Sequence, residues 1–489
     1  MNSQIHDLRT AIDFLKTIDG QFIDSNVAVN PTAELASVYR YIGAGGTVMR
    51  PTKIGPAMLF SNVIGHSNAS VLIGLFASRE RVAHLLGSKP EKLGFLLNDA
   101  VKNPIKPILI DQKYAKCQEV IYYATDKDFD IRKILPAPTN TIEDAGPYLT
   151  LGMCYASDPE THISDITIHR LCLQGKDEIS MFFSPGRHLD VFRKKAEYLN
   201  KPLPISISIG VDPRIEIATC FEPPTTPLGF NELEIAGALK GSPIELTNCL
   251  TIPEKCIAHA EYVIEGELLP HIRCREDQNT NTGKSMPEFP GYTGEAVDSL
   301  PIIKVKAITT RKNPIMQTCI GASEEHVNLA GIPTEASIIN MIDKAMPGKL
   351  LNVYCPPSGG GKFVAILQFK KSTPLDEGRQ RQAALLAFSA FNELKHIYIV
   401  DEDVDCFDIN DVLWAMTTRF QGDVDIITIP GVRCHPLDPS NEPYFSPSIL
   451  NKGIACKTIF DCTVPFDQKK HFERCKFQDL DYTKWLQKE

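Results

Sequence analysis

An α+β fold is what this sequence predicts, on three observations. Residues 117–307 run through short β-like segments with strong alternation and β-branched content, separated by frequent turns. After Thr310, strand-like and helical patterns take turns, as in sheets covered by helices. Before residue 117, helical and apolar runs are mixed. We therefore expect an N-terminal α/β region over 1–120, an antiparallel barrel or sandwich over 121–310, and a C-terminal α/β domain over 311–489.

Residues 5–18 read as an amphipathic helix with Ile5, Leu8, Ile12 and Leu15 on one face. A turn with Gly43, Gly45 and Gly46 follows, lacking the third glycine spacing of a dinucleotide fingerprint. Helical pattern returns at 78–86 and 91–101, and NPIKPILI reads as a crossing loop or linker. The central strands are EVIYYAT, PYLTLGMCYA, DITIHRLCLQ, ISMFFSP, PISISIGV, AEYVIEGELL and PIIKVKAITT. Helices at 189–199 and around 232–238 interrupt them. Then come a helix over 335–345, strands LLNVYC and KFVAILQF, a helix over 380–394, a strand in HIYIVDEDVD and the helix INDVLWAMTTRF. The remainder, through QKKHFERCKF, reads as a polar tail with a helical portion.

Hydrophobic residues at 43% and charged residues at 23% are ordinary for a globular protein. Net charge is −9 and no Lys/Arg run stands out, which argues against nucleic acid or an anionic membrane as partner. Asp7, Arg9, Asp13 and Lys16 stand where a signal peptide needs an apolar core. No apolar run approaches the ~20 residues that cross a bilayer. Fourteen cysteines are scattered without a CxxC pair, and we read them as reduced and mostly buried. A cytoplasmic protein is expected.

The stretch from Asp165 to Glu295 collects Asp165, His169, Arg170, His188, Glu232, Glu288 and Glu295. Asp, His and Glu together make an oxygen/nitrogen nest for a hard divalent cation. An arginine beside glutamates supplies an anion clamp and a proton donor. Each motif also has a plain structural reading. Arg170 among Ile166, Ile168, Leu171 and Leu173 is either held by a partner or snorkels from a half-exposed strand. Pro185 and Gly186 stop a strand and leave Arg187 and His188 at a helix N-terminus, an anion site or simply surface. Glu232 begins a helix, where its charge is favourable in any case. Glu288 and Glu295 sit on a Pro/Gly loop, which either holds an acid for proton transfer or merely faces solvent.

Asp165-x-x-x-x-Arg170, then Arg187-His188, then Glu232-x-x-x-x-Gly237, then Glu288-Phe289-Pro290 resembles the UbiD-type reversible decarboxylases, across essentially the whole chain. The branch it resembles acts on 3,4-dihydroxybenzoate (protocatechuate) and gallate, as FEPPTTPLGFNELEIAGAL, TNTGKSMPEFPGY and VDEDVDCFDINDVLWAMTTR suggest. The resemblance implies a flavin-reductase-like split β-barrel in the centre. It implies prenylated FMN held through its phosphate by Mn2+ or Mg2+ and K+. Asp165 (Asn in many relatives), His188 and Glu232 would be the metal ligands. Thr167, Ile168, Arg170, Arg187 and His188 would contact the flavin, with K+ on carbonyls of the ATCFE stretch and on Glu232. Arg170, Glu288 and Glu295 would form the catalytic network, Glu295 after an offset for an extra residue between Pro290 and Gly294. Lys362 and His435 would meet the substrate hydroxyls. GGGKF itself is no phosphate loop, because Phe363 follows Lys362 where Ser or Thr binds magnesium.

The reading is therefore a non-oxidative decarboxylase of a small aromatic acid, with 3,4-dihydroxybenzoate ahead of gallate or 4-hydroxybenzoate. A homodimer and a separate flavin prenyltransferase go with it. Competing classes are a flavin-dependent oxidoreductase, against which stands the missing nicotinamide fingerprint, and a flavin-binding module without turnover.

Overall fold

The computed structural model describes residues 4–184, 186–447 and 449–486, so the turn read at Pro185 lies outside the described residues. The first helix, Leu8–Lys16, is capped by Asp7, which accepts from the Thr10 N–H while the Thr10 hydroxyl accepts from Asp7 N–H. Ile5, Leu8, Ile12 and Leu15 are all buried, as the periodicity requires. Helices Arg79–Leu86, capped by Ser78, and Leu93–Lys102 stand where helical pattern was read.

Phe22–Ser25, Ala57–Phe60, Ser70–Ile73 and Ile315–Thr318 form a mixed four-stranded sheet, so a strand beyond the barrel in sequence is built into the N-terminal region. NPIKPILI is more than a linker. Ile108–Leu109 pairs in parallel with Glu245–Asn248.

Six central strands close a barrel: β1 (Tyr148–Ser157), β2 (Ser164–Leu173), β3 (Glu178–Met181), β4 (Leu203–Ile209), β5 (Tyr262–Cys274) and β6 (Leu300–Thr310). They run β5-β4-β1-β2-β3-β6, β6 returns to β5, and every pairing is antiparallel. Of barrel and sandwich, the barrel is therefore the outcome. Closure depends on the long β5 pairing along both edges, helped by an irregularity between Glu265 and Gly266. A Cβ at Gly266 would meet Ile303 Cγ2 at 2.7 Å, so only glycine lets the two strands approach there. Val120–Tyr123 adds to the β6 edge. The flavin-reductase-like description remains an implication of the resemblance.

Three helices frame the site: α1 (His188–Tyr198), α2 (Glu232–Lys240) and α3 (Glu324–Ala345). The start of α3 at Glu324 corrects the expected start at residue 335. Pro333 inside it disrupts the helical pattern, yet most of the helix is buried, and packing carries it through the lost hydrogen bond. The C-terminal sheet runs Leu350–Tyr354, Val364–Phe369, His396–Val400, Ile454–Asp461, Ile426–Arg433, parallel in the middle and antiparallel at both ends. Its last two strands escaped the sequence reading. The helix expected to reach residue 394 is Arg379–Ala390. Buried Lys457 donates to the carbonyls of Asn392 and Leu394 just past its end. The tail contains the 3-10 turn Phe466–Phe472 and no α-helix among the described residues. No helix among them is long and apolar enough to cross a membrane.

Candidate active site

Between the barrel and the C-terminal sheet lies a cavity of about 710 Å³. Strand β2 supplies Thr167, Ile168 and Arg170 to its wall, and Arg187 stands at the mouth of α1. Glu288 and Glu295 reach it from the Pro/Gly loop, and Lys362 and His435 from the C-terminal half. Asp165, His188 and Glu232 are not among the residues that line it, and Asp165 and Glu232 are buried.

At the barrel end, Arg170 contacts Glu288 through one guanidinium nitrogen and Glu276 Oε2 at 3.0 Å through another. Its guanidinium also lies 4.5 Å from the Phe182 ring centroid. Arg170 is thus held by partners, and the snorkelling alternative drops out. Glu276 is fully engaged, accepting also from Tyr148 Oη at 2.9 Å and Val297 N–H at 3.1 Å. Burial raises the Glu288 pKa above its ordinary value despite the opposing pull of Arg170, which is the balance a proton donor needs. The loop carrying Glu288 is clamped: Thr47 Oγ1 donates to Phe289 O at 2.6 Å, and a Cβ at Gly321 would meet Pro287 O at 2.1 Å. Glu295 is exposed in the short strand Thr293–Glu295 at the cavity rim, with no ion pair to Arg170 among the described residues. The second carboxylate on Arg170 is Glu276, which carries no motif in the sequence.

Near the start of β2, His188 Nδ1 lies 3.1 Å from Asp165 Oδ1. Glu232 is buried, its Oε2 has no hydrogen-bond partner, and burial together with the Asp165 charge pushes its pKa well up. An orphaned carboxylate oxygen within reach of another carboxylate's charge is a site whose chemistry a hard divalent cation would suit. Among the described residues, however, no group of three such side chains stands at metal-ligand spacing.

At the far end, Lys362 Nζ donates to Glu393 Oε2 at 2.9 Å and lies 4.0 Å from Glu222. Arg187 contacts Glu222 and stands 3.8 Å from Glu393. Burial alone would lower the Lys362 pKa, but Glu393 and Glu222 more than offset it and raise it. His435 goes the other way: burial, then the Lys362 charge, hold it far below an ordinary histidine. His435 meets Phe289 edge-on, at 4.8 Å between ring centroids. His326, in the first turn of α3, stacks on Phe289 at 5.4 Å, and burial pushes its pKa down to about 3. Its Nε2 has no partner and it lines the cavity. His326, Glu222 and Glu393 were missed in the sequence, two of them because the ends of their helices were misplaced.

A closed antiparallel barrel facing an α/β sheet across an acid- and arginine-lined cavity defines a class, and family comparison identifies it. The UbiD 3-octaprenyl-4-hydroxybenzoate carboxy-lyase models match here, the N-terminal domain over residues 14–101, the Rift-related domain over 109–324 and the C-terminal domain over 327–462. The chain belongs to the UbiD family of carboxy-lyases. It is 52% identical to the gallate decarboxylase of Lactiplantibacillus plantarum, over 99% of this chain and 100% of that one. It superposes on the apo 3,4-dihydroxybenzoic acid decarboxylase of Enterobacter cloacae with a TM-score of 0.95 and 58% identity, covering 99% of each chain. The UbiD-class enzyme HmfF of Pelotomaculum thermopropionicum, in complex with FMN, superposes with a TM-score of 0.85 and 32% identity over 99% of each chain. An evolved dimeric form of HmfF holds prFMN, with a TM-score of 0.83 and 31% identity over 99% of each chain.

Proposed function

We propose that the protein is a prenylated-FMN-dependent, non-oxidative decarboxylase that converts 3,4-dihydroxybenzoate to catechol and CO2. The observation that carries this reading is the buried Arg170–Glu288 pair facing, across one cavity, the Lys362 and His435 side chains. Relatives named for 3,4-dihydroxybenzoate and gallate, and one holding prFMN, support it. Gallate is the second reading, favoured by the relative of 52% identity.

Asp165, His188 and Glu232 would hold Mn2+ or Mg2+ on the cofactor phosphate. Thr167, Ile168 and Arg187 would contact the flavin, and K+ would sit by the carbonyls of residues 218–222. When bound, prFMN supplies the electron sink that no amino-acid side chain provides. Arg170 orients the substrate carboxylate and keeps Glu288 in place. Glu288, protonated to higher pH than an ordinary glutamate, delivers its proton to the ring carbon that loses CO2. Lys362 and His435 bind the ring hydroxyls. One substrate thus gives one CO2, and the proton takes its place on the ring. A reduced, cytoplasmic setting agrees with 14 free cysteines. A homodimer and a separate prenyltransferase belong to the same reading.

The test is incubation of cofactor-loaded protein with 3,4-dihydroxybenzoate, gallate and 4-hydroxybenzoate without nicotinamide. From 3,4-dihydroxybenzoate, catechol and CO2 in equal amounts are expected, with the highest kcat/KM of the three acids. Strict NAD(P)H dependence would overturn the reading in favour of an oxidoreductase.

A further inference from the structure

We infer that Glu393 determines specificity, by accepting the hydrogen bond of a ring hydroxyl whose oxygen is met by His435 Nε2–H and Lys362. This rests on the hydroxy-acid reading above and adds to it a reason why the hydroxyl must be free.

Three observations converge. First, Glu393 is aimed. Its own carbonyl accepts from Cys434 Sγ at 3.4 Å, and Lys457 holds the carbonyls on either side, so the side chain is presented to the cavity from a fixed turn. Second, Glu393 is half used. Oε2 takes the Lys362 ammonium at 2.9 Å, whereas Oε1 accepts no hydrogen bond among the described residues and has Arg187 at 3.8 Å. Third, the tautomer of His435 is determined by its neighbour. Leu437 N–H donates to Nδ1 at 3.1 Å, so the neutral ring carries its proton on Nε2. That Nε2 is 3.6 Å from Glu393 Oε2, beyond a direct hydrogen bond.

The cluster therefore offers two donors, Lys362 Nζ and His435 Nε2–H, beside one under-used acceptor, Glu393. A phenolic hydroxyl, with two lone pairs and one proton, is complementary to that set. A methoxy oxygen can accept from the donors but has no proton for Glu393, and its methyl would face a desolvated carboxylate. A ring without the oxygen leaves all three groups unmet. Sites that hydrogen-bond a hydroxyl reject analogues lacking it by factors of about 10⁴.

The experiment compares wild type, Glu393→Gln and Glu393→Asp, each loaded with cofactor. Ligands are 3,4-dihydroxybenzoate and its two monomethyl ethers, 3-methoxy-4-hydroxybenzoate and 3-hydroxy-4-methoxybenzoate. Kd is read by calorimetry in a Glu288→Gln background, and kcat/KM in the active background. Wild type should favour the free hydroxyl by at least ~100-fold at one ring position. Glu393→Gln, whose amide can donate to an ether oxygen, should shrink that ratio at least ~10-fold in Kd, with Tm nearly unchanged. Glu393→Asp, keeping the carboxylate, should restore part of it. An unchanged ratio in Glu393→Gln, or equal losses for all three ligands, would overturn the assignment while leaving the decarboxylase reading standing. A wild type that binds no hydroxybenzoate would bring down that reading and this assignment together.

Discussion

At the barrel end of the cavity, Arg170 sits between Glu276 and Glu288 over the Phe182 ring, and Tyr148 and Val297 complete the bonding of Glu276. At the other end, Lys362, Arg187 and His435 share Glu222 and Glu393, in contacts that range from direct pairs to spacings of 4.0 Å. Both ends bury charge, but at the first Glu276 takes three donors, Arg170, Tyr148 and the Val297 N–H, while Arg170 Nε stays without a partner. A buried ion pair holds its geometry when further hydrogen bonds meet its members, and Glu276 meets that condition for the Arg170 end before any ligand arrives. The Lys362 cluster is left open, with an unused carboxylate oxygen and a histidine N–H beyond bonding reach. Proton delivery needs a fixed acid, and recognition needs unmet partners. In the proposed function the two ends divide these tasks.

The largest expected effect comes from breaking the closed end. Glu288→Gln should lower turnover by about 10³-fold with flavin retained, measured as CO2 release against flavin absorbance. Next is the proposed cofactor anchor, His188. His188→Ala should lose most of its flavin on desalting, and full occupancy after desalting would remove His188 from the cofactor's anchors. Gly321→Ala probes the clamp. Its Cβ would meet Pro287 O at 2.1 Å, so the Glu288 loop must move, and kcat should fall about 100-fold with little change in substrate Kd. Equal kcat in this variant would mean that the loop's position does not matter.

The mildest change sharpens the comparison through pH. Wild type should show a limb of kcat/KM that falls as pH rises through a Glu288 pKa above the ordinary 4.5. Glu276 raises that pKa by its charge, and Arg170 lowers it. Glu276→Gln removes the first influence and leaves Arg170 to Glu288 alone, so the limb should move to lower pH. A limb that stays in place would detach Glu276 from the proton donor.

The barrel strands were legible from β-branched runs bounded by turns, although in the structure most of their residues are buried on both faces. Ile426–Arg433 and Ile454–Asp461 were not, since they fall outside the strand–helix alternation that revealed the rest of the C-terminal sheet. Pro333 concealed the first half of α3, and with it His326. Asp165, Arg170, His188, Glu232, Glu288, Lys362 and His435 could be singled out because they sit in motifs with a family resemblance. That Arg170, Glu288, Lys362 and His435 share one cavity was not legible, because it depends on long-range packing of barrel against C-terminal sheet. Glu276 and Glu393 look like ordinary charged residues in a loop and a helix end. Only their neighbours in space, Arg170 for one and Lys362 with His435 for the other, make them part of the site.

The central claim is that binding and proton delivery are separable at the two ends of one cavity. Calorimetric titration of cofactor-loaded Glu288→Gln with 3,4-dihydroxybenzoate, followed by a CO2 assay of the same sample, tests it most directly. The account predicts an affinity equal, within a few-fold, to the Kd of wild type measured with a non-decarboxylating analogue, and almost no CO2. Loss of binding along with turnover, or CO2 release at the wild-type rate, would contradict it.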